Sequence, residues 1–63
     1  MTPDDKIRHD FTNQLAIIRG FAEMLIADAD PGDARRGDFE EIHKAAVTAL
    51  MLLARMYPAD TPL

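Results

Sequence analysis

The stretch that decides the fold is residues 7–25, which read IRHDFTNQLAIIRGFAEML. Its apolar residues recur at steps of three and four, which is the spacing of an amphipathic α-helix. At about 100° per residue, His9 falls roughly 160° from the centre of the apolar side, so the pattern predicts an exposed histidine. The apolar side itself is formed by Ile7, Phe11, Ile18, Phe21 and Leu25.

Signals at both ends give this first helix its predicted length. Thr2 can cap the helix, and Pro3 suits its first position. The strongest cluster of helix breakers in the chain is DADPGD at residues 28–33. We therefore predict a helix over about residues 3–28 and a loop over about residues 29–33.

A second helix is predicted over about residues 34–57. Asp33 can cap a helix that begins at once, whereas Asp38 and Glu41 resemble a capping box slightly further along. We favour the earlier start. At the other end, Tyr57 precedes a proline and therefore avoids helical geometry. The apolar residues between these ends keep heptad spacing: Phe39, Ile42, Ala46, Ala49, Leu53 and Met56.

Two helices of similar length with a short connection predict an all-α fold, an antiparallel two-helix hairpin. The chain has 63 residues, which is one domain, residues 1–63. A chain this short tends to need a disulfide, a metal ion or a partner chain to stabilise its small core. One hairpin cannot cover two apolar stripes of this width, whereas two copies can, so we expect a homodimeric four-helix bundle.

The composition excludes several classes of protein. A net charge of −4 and a pI near 4.8 argue against nucleic acid and anionic membranes as partners. The chain has no cysteine, which excludes a disulfide framework and a thiolate metal site. It shows no signal peptide at Met1 and no apolar run near the roughly 20 residues of a membrane span. We expect a cytoplasmic protein.

The exposed histidine has chemically suitable neighbours. The simplest interpretation of His9 is a solvated surface residue without a role. However, an imidazole is a nucleophile near neutral pH, and the carboxylate of Asp10 can orient it and accept its second ring proton. Asn13, one helical turn on, can place a water or a phosphoryl oxygen beside the same ring. These three residues are the candidate catalytic group.

Small residues share the exposed face with His9. One explanation is that alanine is a good helix former and that Gly20 has no role. The other is that small side chains leave room for a partner protein, or for close approach inside the bundle. A glycine within a helix costs about 1 kcal/mol relative to alanine, which favours a role. The candidate docking residues are Thr12, Ala16 and Gly20.

A known family has this arrangement of residues. HDFTN at residues 9–13, continued by residues 15–18 and 20–25, resembles the H-box helix of sensor histidine kinases, in the variant that reads H-D-F-N-N-L-L. DFEEIHKAA at residues 38–46 is similar to the second dimerisation helix of that variant. The resemblance covers residues 7–55. Gln14 departs from it, because it stands where the family has an apolar residue.

The resemblance implies a role for each candidate residue. His9 would accept a phosphoryl group, Asp10 would be the general base that orients it, and Asn13 would position water for dephosphorylating a response regulator. The implied partners are a second copy of the chain, a receiver domain docked on the first helix, and a separate histidine kinase. No cofactor of its own is implied, and Mg²⁺ is expected on the partner regulator.

Sensor histidine kinases carry an ATP-binding domain after the second helix, whereas this sequence ends at Leu63. We therefore expect a histidine phosphotransferase-like module of two-component signalling and not an autonomous kinase. The alternative is an adaptor that binds response regulators or a histidine kinase and is never phosphorylated. A plain dimerisation hairpin is a third hypothesis. No metal site is expected, because His9 and His43 are predicted to lie far apart along the hairpin.

Overall fold

The computed structural model describes residues 3–56, which form two α-helices and the turns between them. Helix α1 spans Pro3–Asp28 and helix α2 spans Arg36–Met56. The helices pack against each other, and the described part of the chain contains no β-strand, so the all-α prediction is confirmed. The predicted cap at Thr2 and the predicted end at Tyr57 lie outside the described residues. Neither α1 nor α2 has the length and apolar character that crossing a membrane requires.

The start of α2 differs from the prediction by two residues. Residues 34–35 form a turn, so the helix begins at Arg36 and not near residue 34. Asp33 therefore does not act as the predicted cap of α2: its carboxylate accepts the backbone N–H of Arg35 at 2.8 Å, within the turn that precedes the helix. The Asp33 carbonyl also accepts the backbone N–H of Arg36 at 3.1 Å, which closes the turn that leads into α2.

Arg36 joins the two helices at the connection. Its Nη1 donates to the carbonyl of Ile26 at 3.2 Å and to that of Ala29 at 3.1 Å. The last carbonyls of a helix lack partners within the helix, and a cation is favourable at this negative end of the dipole. One side chain at the start of α2 therefore caps the end of α1 and links the two helices at their connection.

The contact between the helices is small. The buried apolar residues of the described chain are Ala22, Ala46 and Leu53. Ala22 lies roughly 55° around α1 from the centre of the predicted apolar side, so the helices meet at its edge and not at its centre. The five residues of that side remain 44–61% exposed: Ile7, Phe11, Ile18, Phe21 and Leu25.

Substitution of Asp33 by Asn is expected to lower the melting temperature at neutral pH and to have no effect in strong acid. The hydrogen bonds from the Arg35 side chain and backbone hold the pKa of Asp33 below its ordinary 3.8. A carboxylate whose pKa is lowered by folding stabilises the fold above its unfolded pKa, and this stabilisation is lost as the pH falls through the folded pKa. Circular dichroism melts from pH 7 downward measure the difference between the two proteins. Asp30→Asn, which removes the same charge three residues away, is the control. A difference that persists unchanged in strong acid would show that the charge of Asp33 is not its cause.

Candidate functional site

His9 is exposed on α1, as the periodicity predicts. Its side chain is 68% accessible to solvent, and that of Asp10 is 56% accessible. The Nδ1 atom of His9 lies 3.9 Å from the Oδ1 atom of Asp10. This distance is too long for a hydrogen bond. The structure therefore places the carboxylate beside the imidazole without joining the two.

The carboxylate of Asp10 is bound by a residue that the sequence analysis did not single out. Lys6 Nζ donates to Asp10 Oδ2 at 2.9 Å. The hydrogen bond and the charge of Lys6 are the main reasons that the pKa of Asp10 lies below its ordinary value, and the neighbouring His9 contributes less. Asp10 is thus a carboxylate at neutral pH, with one oxygen held by the ammonium group and the other directed towards the imidazole.

Four polar residues on the outer surface of α1 belong to one patch. Lys6, His9, Asp10 and Asn13 are spaced i, i+3, i+4 and i+7, so their side chains start from neighbouring positions on the helix. Asn13 is exposed, as expected for a residue that acts on a bound group. We call these four residues the histidine patch. A nucleophile, a carboxylate, an amide and a cation lie within it.

The candidate docking residues differ in exposure. Thr12 is exposed, and its hydroxyl donates to the Arg8 carbonyl at 2.8 Å, within its own helix. Ala16 and Gly20 are half-buried. A Cβ atom built on Gly20 would meet no atom within 4 Å, so close approach of α1 and α2 does not require this glycine. Close approach of Gly20 to a second copy inside the bundle, and its contact with a partner protein, stay predictions.

A polar contact joins α1 to α2 beyond Gly20, nearer the connection between the helices. His43 Nε2 is 2.9 Å from Glu23 Oε2, which joins α2 to α1. The His43 side chain is 32% exposed, whereas that of His9 is 68% exposed. The two histidines therefore have different surroundings. Among residues 3–56, no group of three or more His, Asp or Glu side chains is arranged to hold a metal ion.

A second surface lies between the helices, away from the histidine patch. It is a shallow groove of about 170 Å³. At about 100° per residue, Phe11 and His9 lie roughly 160° apart around α1, so the groove and the histidine are on opposite sides of the helix. The residues that line the groove are apolar: Phe11, Leu15, Ala49, Leu52, Leu53 and Met56.

Comparison of the chain with protein-family models, with curated proteins and with solved structures finds no match. The resemblance to the H-box helix therefore depends on the residues themselves. Their geometry allows nucleophilic attack by an exposed imidazole, assisted by one carboxylate, on a group that another molecule brings to the surface.

Proposed function

We propose that this chain is a phosphotransfer module of two-component signalling, in which His9 exchanges a phosphoryl group with an aspartate of a response regulator. The observation that carries the proposal is the exposure of His9 beside Asp10, with Asn13 one turn away. An attack on phosphorus needs an imidazole that a second protein can reach from outside, and His9 meets this requirement. The reaction then takes place between two proteins in the cytoplasm.

The transfer requires little from this chain beyond a nucleophile and a base. The lone pair of His9 Nε2 forms the bond to phosphorus while the bond between phosphorus and the regulator's aspartate breaks. The bonding electrons leave with the aspartate carboxylate. The proton on Nδ1, the ring nitrogen beside Asp10, is stabilised by that carboxylate or passes to water. Mg²⁺ bound by the regulator would neutralise charge on the phosphoryl oxygens, so the chain needs no metal of its own.

We also infer that the helices form an antiparallel hairpin and that two hairpins form a four-helix bundle. Arg36 reaches the end of α1, while Phe11 near the start of α1 lies beside Met56 at the end of α2, which is the arrangement of an antiparallel pair. Among residues 3–56, two alanines and one leucine are a small core for two helices of this length. A second copy placed on the groove would cover the apolar residues that remain exposed on both helices, including Ile18, Leu25 and Ile42.

The alternative function is an adaptor that binds response regulators or a histidine kinase without being phosphorylated. One observation favours it: Lys6 holds Asp10, and the carboxylate lies 3.9 Å from the imidazole. However, both partners of this ion pair are exposed and solvent screens their charges, so a docked partner breaks it at little cost. The ion pair is therefore compatible with both functions, and the support for transfer is the exposure of His9 beside Asp10.

The deciding experiment asks whether the chain takes up phosphate from a phosphorylated receiver domain. The purified protein is incubated with receiver domains that carry a labelled phosphoryl group, and the label on the chain is then characterised chemically. We expect a label that is stable in alkali and lost in acid, as a phosphoramidate is. Measurable binding to a receiver domain with no transfer of label would contradict the proposal and support the adaptor.

Replacement of Gly20 by alanine separates the stability of the helix from the docking of a partner. A Cβ atom at this position meets nothing within 4 Å in the chain, so we expect a gain in stability of about 0.5–1 kcal/mol. If a receiver domain lies closely against Ala16 and Gly20, the same methyl group should weaken its binding several-fold. Thermal melts and titration calorimetry measure the two effects. Unchanged receiver binding would remove Gly20 from the docking surface.

A further inference from the structure

Lys6 is connected to His9 through a single carboxylate. Its ammonium group lies 2.9 Å from Oδ2 of Asp10, and the other oxygen of that carboxylate lies 3.9 Å from Nδ1 of His9. The Lys6 side chain is 70% exposed, so it is not held by packing. The nearest arginine in the sequence, Arg8, lies roughly 100° around the helix from His9, and its guanidinium is 3.7 Å from the carboxylate of Asp5.

We propose that Lys6 is a phosphoryl-binding residue, which moves from the carboxylate of Asp10 to the phosphoryl group once His9 carries it. This inference rests on the proposed phosphotransfer function and assigns that reaction a residue which the resemblance to the H-box does not supply. Lys6 positions charge around the reacting group and takes no part in bond making.

The charges on the histidine patch favour this movement. Before transfer, the ammonium of Lys6 balances one carboxylate. A phosphoryl group adds between one and a half and two negative charges next to Asp10, as a phosphorylated side chain does at about neutral pH. The dianion attracts the ammonium more strongly than the carboxylate does, and the carboxylate repels the phosphoryl group until a cation lies between them.

The helix places Lys6 within reach of both groups. Residues at i, i+3 and i+4 are neighbours on the helix surface, about 5–6 Å apart at Cβ, so Lys6 is adjacent to His9 as well as to Asp10. Its flexible four-carbon chain carries a compact charge that can change partner without movement of the backbone. When Lys6 leaves, the carboxylate of Asp10 can accept a hydrogen bond from Nδ1 of the phosphorylated imidazole. One side-chain movement would therefore stabilise both the phosphoryl group and the ring.

The test uses a chemical phosphoryl donor, so that it does not depend on a partner protein. The sequence has two histidines, and every protein in the experiment carries His43→Gln, so that His9 is the one histidine that remains. They are phosphorylated with potassium phosphoramidate, and the ³¹P resonance is followed as the pH is varied. Lys6→Met is the test variant and Lys6→Arg the conservative one. Lys44→Met, which removes the chain's other lysine, is the matched control.

A cation near the phosphoryl group disfavours protonation of both the phosphoryl oxygens and the ring. We therefore expect the midpoint of the ³¹P titration to rise by about half a pH unit in Lys6→Met at low salt. Lys6→Arg and Lys44→Met should titrate like the parent protein, and 1 M salt, with a Debye length of about 3 Å, should remove the difference. Equal midpoints for Lys6→Met and Lys44→Met would overturn the role of Lys6.

The outcomes for Lys6 and for the proposed function can be told apart. Label taken from a receiver domain, together with equal ³¹P midpoints, would overturn the role of Lys6 alone. A shifted midpoint with no transfer from any bound receiver would overturn phosphotransfer as the function. Failure of phosphoramidate to modify His9, together with no label taken from any bound receiver domain, would contradict both proposals.

Discussion

Replacing His9 by glutamine is expected to reduce phosphoryl transfer from a receiver domain to background. Glutamine is polar and similar in size, but its amide nitrogen has no lone pair available to attack phosphorus. Because His9 is exposed, its replacement should change the free energy of unfolding by no more than about 0.5 kcal/mol. The label on the chain and a thermal melt of each protein are the measurements. Loss of label without loss of stability is the result that identifies a nucleophile.

His43→Gln is the matched control, because it removes the other histidine by the same substitution. It breaks the contact with Glu23 between the helices, so a small loss of stability is expected while the label is retained. Loss of label in His43→Gln and its retention in His9→Gln would place the reaction at His43 and contradict the role of His9. His9→Gln should still bind the receiver domain, because docking depends on the surface of α1 and not on the imidazole alone.

The exposure of His9 could be predicted from the sequence, because it depends only on the 3.6-residue period of one helix. The ion pair between Lys6 and Asp10 was not predicted, although the i,i+4 spacing of the two residues is visible in the sequence. That spacing is common on helix surfaces, so by itself it does not indicate a functional residue. It becomes informative here because the same carboxylate also lies beside His9. The 3.9 Å separation between the imidazole and the carboxylate depends on side-chain rotamers, which no sequence pattern specifies.

The positions of the two helices could be predicted within about two residues, but their register could not. The contact between Glu23 and His43 needs both residues at similar distances from the connection. The sequence allowed α2 to begin near Asp33 or near Asp38. A shift of a few residues at its start changes which residue of α2 faces each residue of α1. Arg36 contributes to this register through its hydrogen bonds to the carbonyls of Ile26 and Ala29. Its role depends on two backbone carbonyls that come close only after folding.

Replacing Ile18 by glutamate is expected to have the largest effect on assembly. Ile18 is 46% exposed in one chain and lies near the centre of the apolar side of α1, which we expect the second copy to cover. Two glutamates would enter a symmetric interface, because each copy contributes the same residue. An unpaired charge in an apolar environment is costly, so we expect a loss of more than about 3 kcal/mol, or more than about 100-fold in Kd.

Ile17→Glu is the control, since the neighbouring isoleucine is 51% exposed and points roughly 100° away from Ile18. Light scattering should give the wild-type protein and Ile17→Glu twice the 7.0 kDa of one chain, and Ile18→Glu the mass of a single chain. A wild-type mass of one chain, or equal disruption by both substitutions, would contradict the four-helix bundle.

The size of the core within one chain determines how the proposed dimer should behave on dilution. Within one chain, the buried apolar residues of the described segment are Ala22, Ala46 and Leu53, which leave most of the apolar surface of both helices in water. If the second copy covers that surface, most of the hydrophobic stabilisation arises from association. The melting temperature of the wild-type protein should then rise with its concentration, whereas that of a self-sufficient hairpin would not. Dimerisation and folding would be a single process, and the histidine patch, on the opposite side of α1, would be presented only by the assembled bundle.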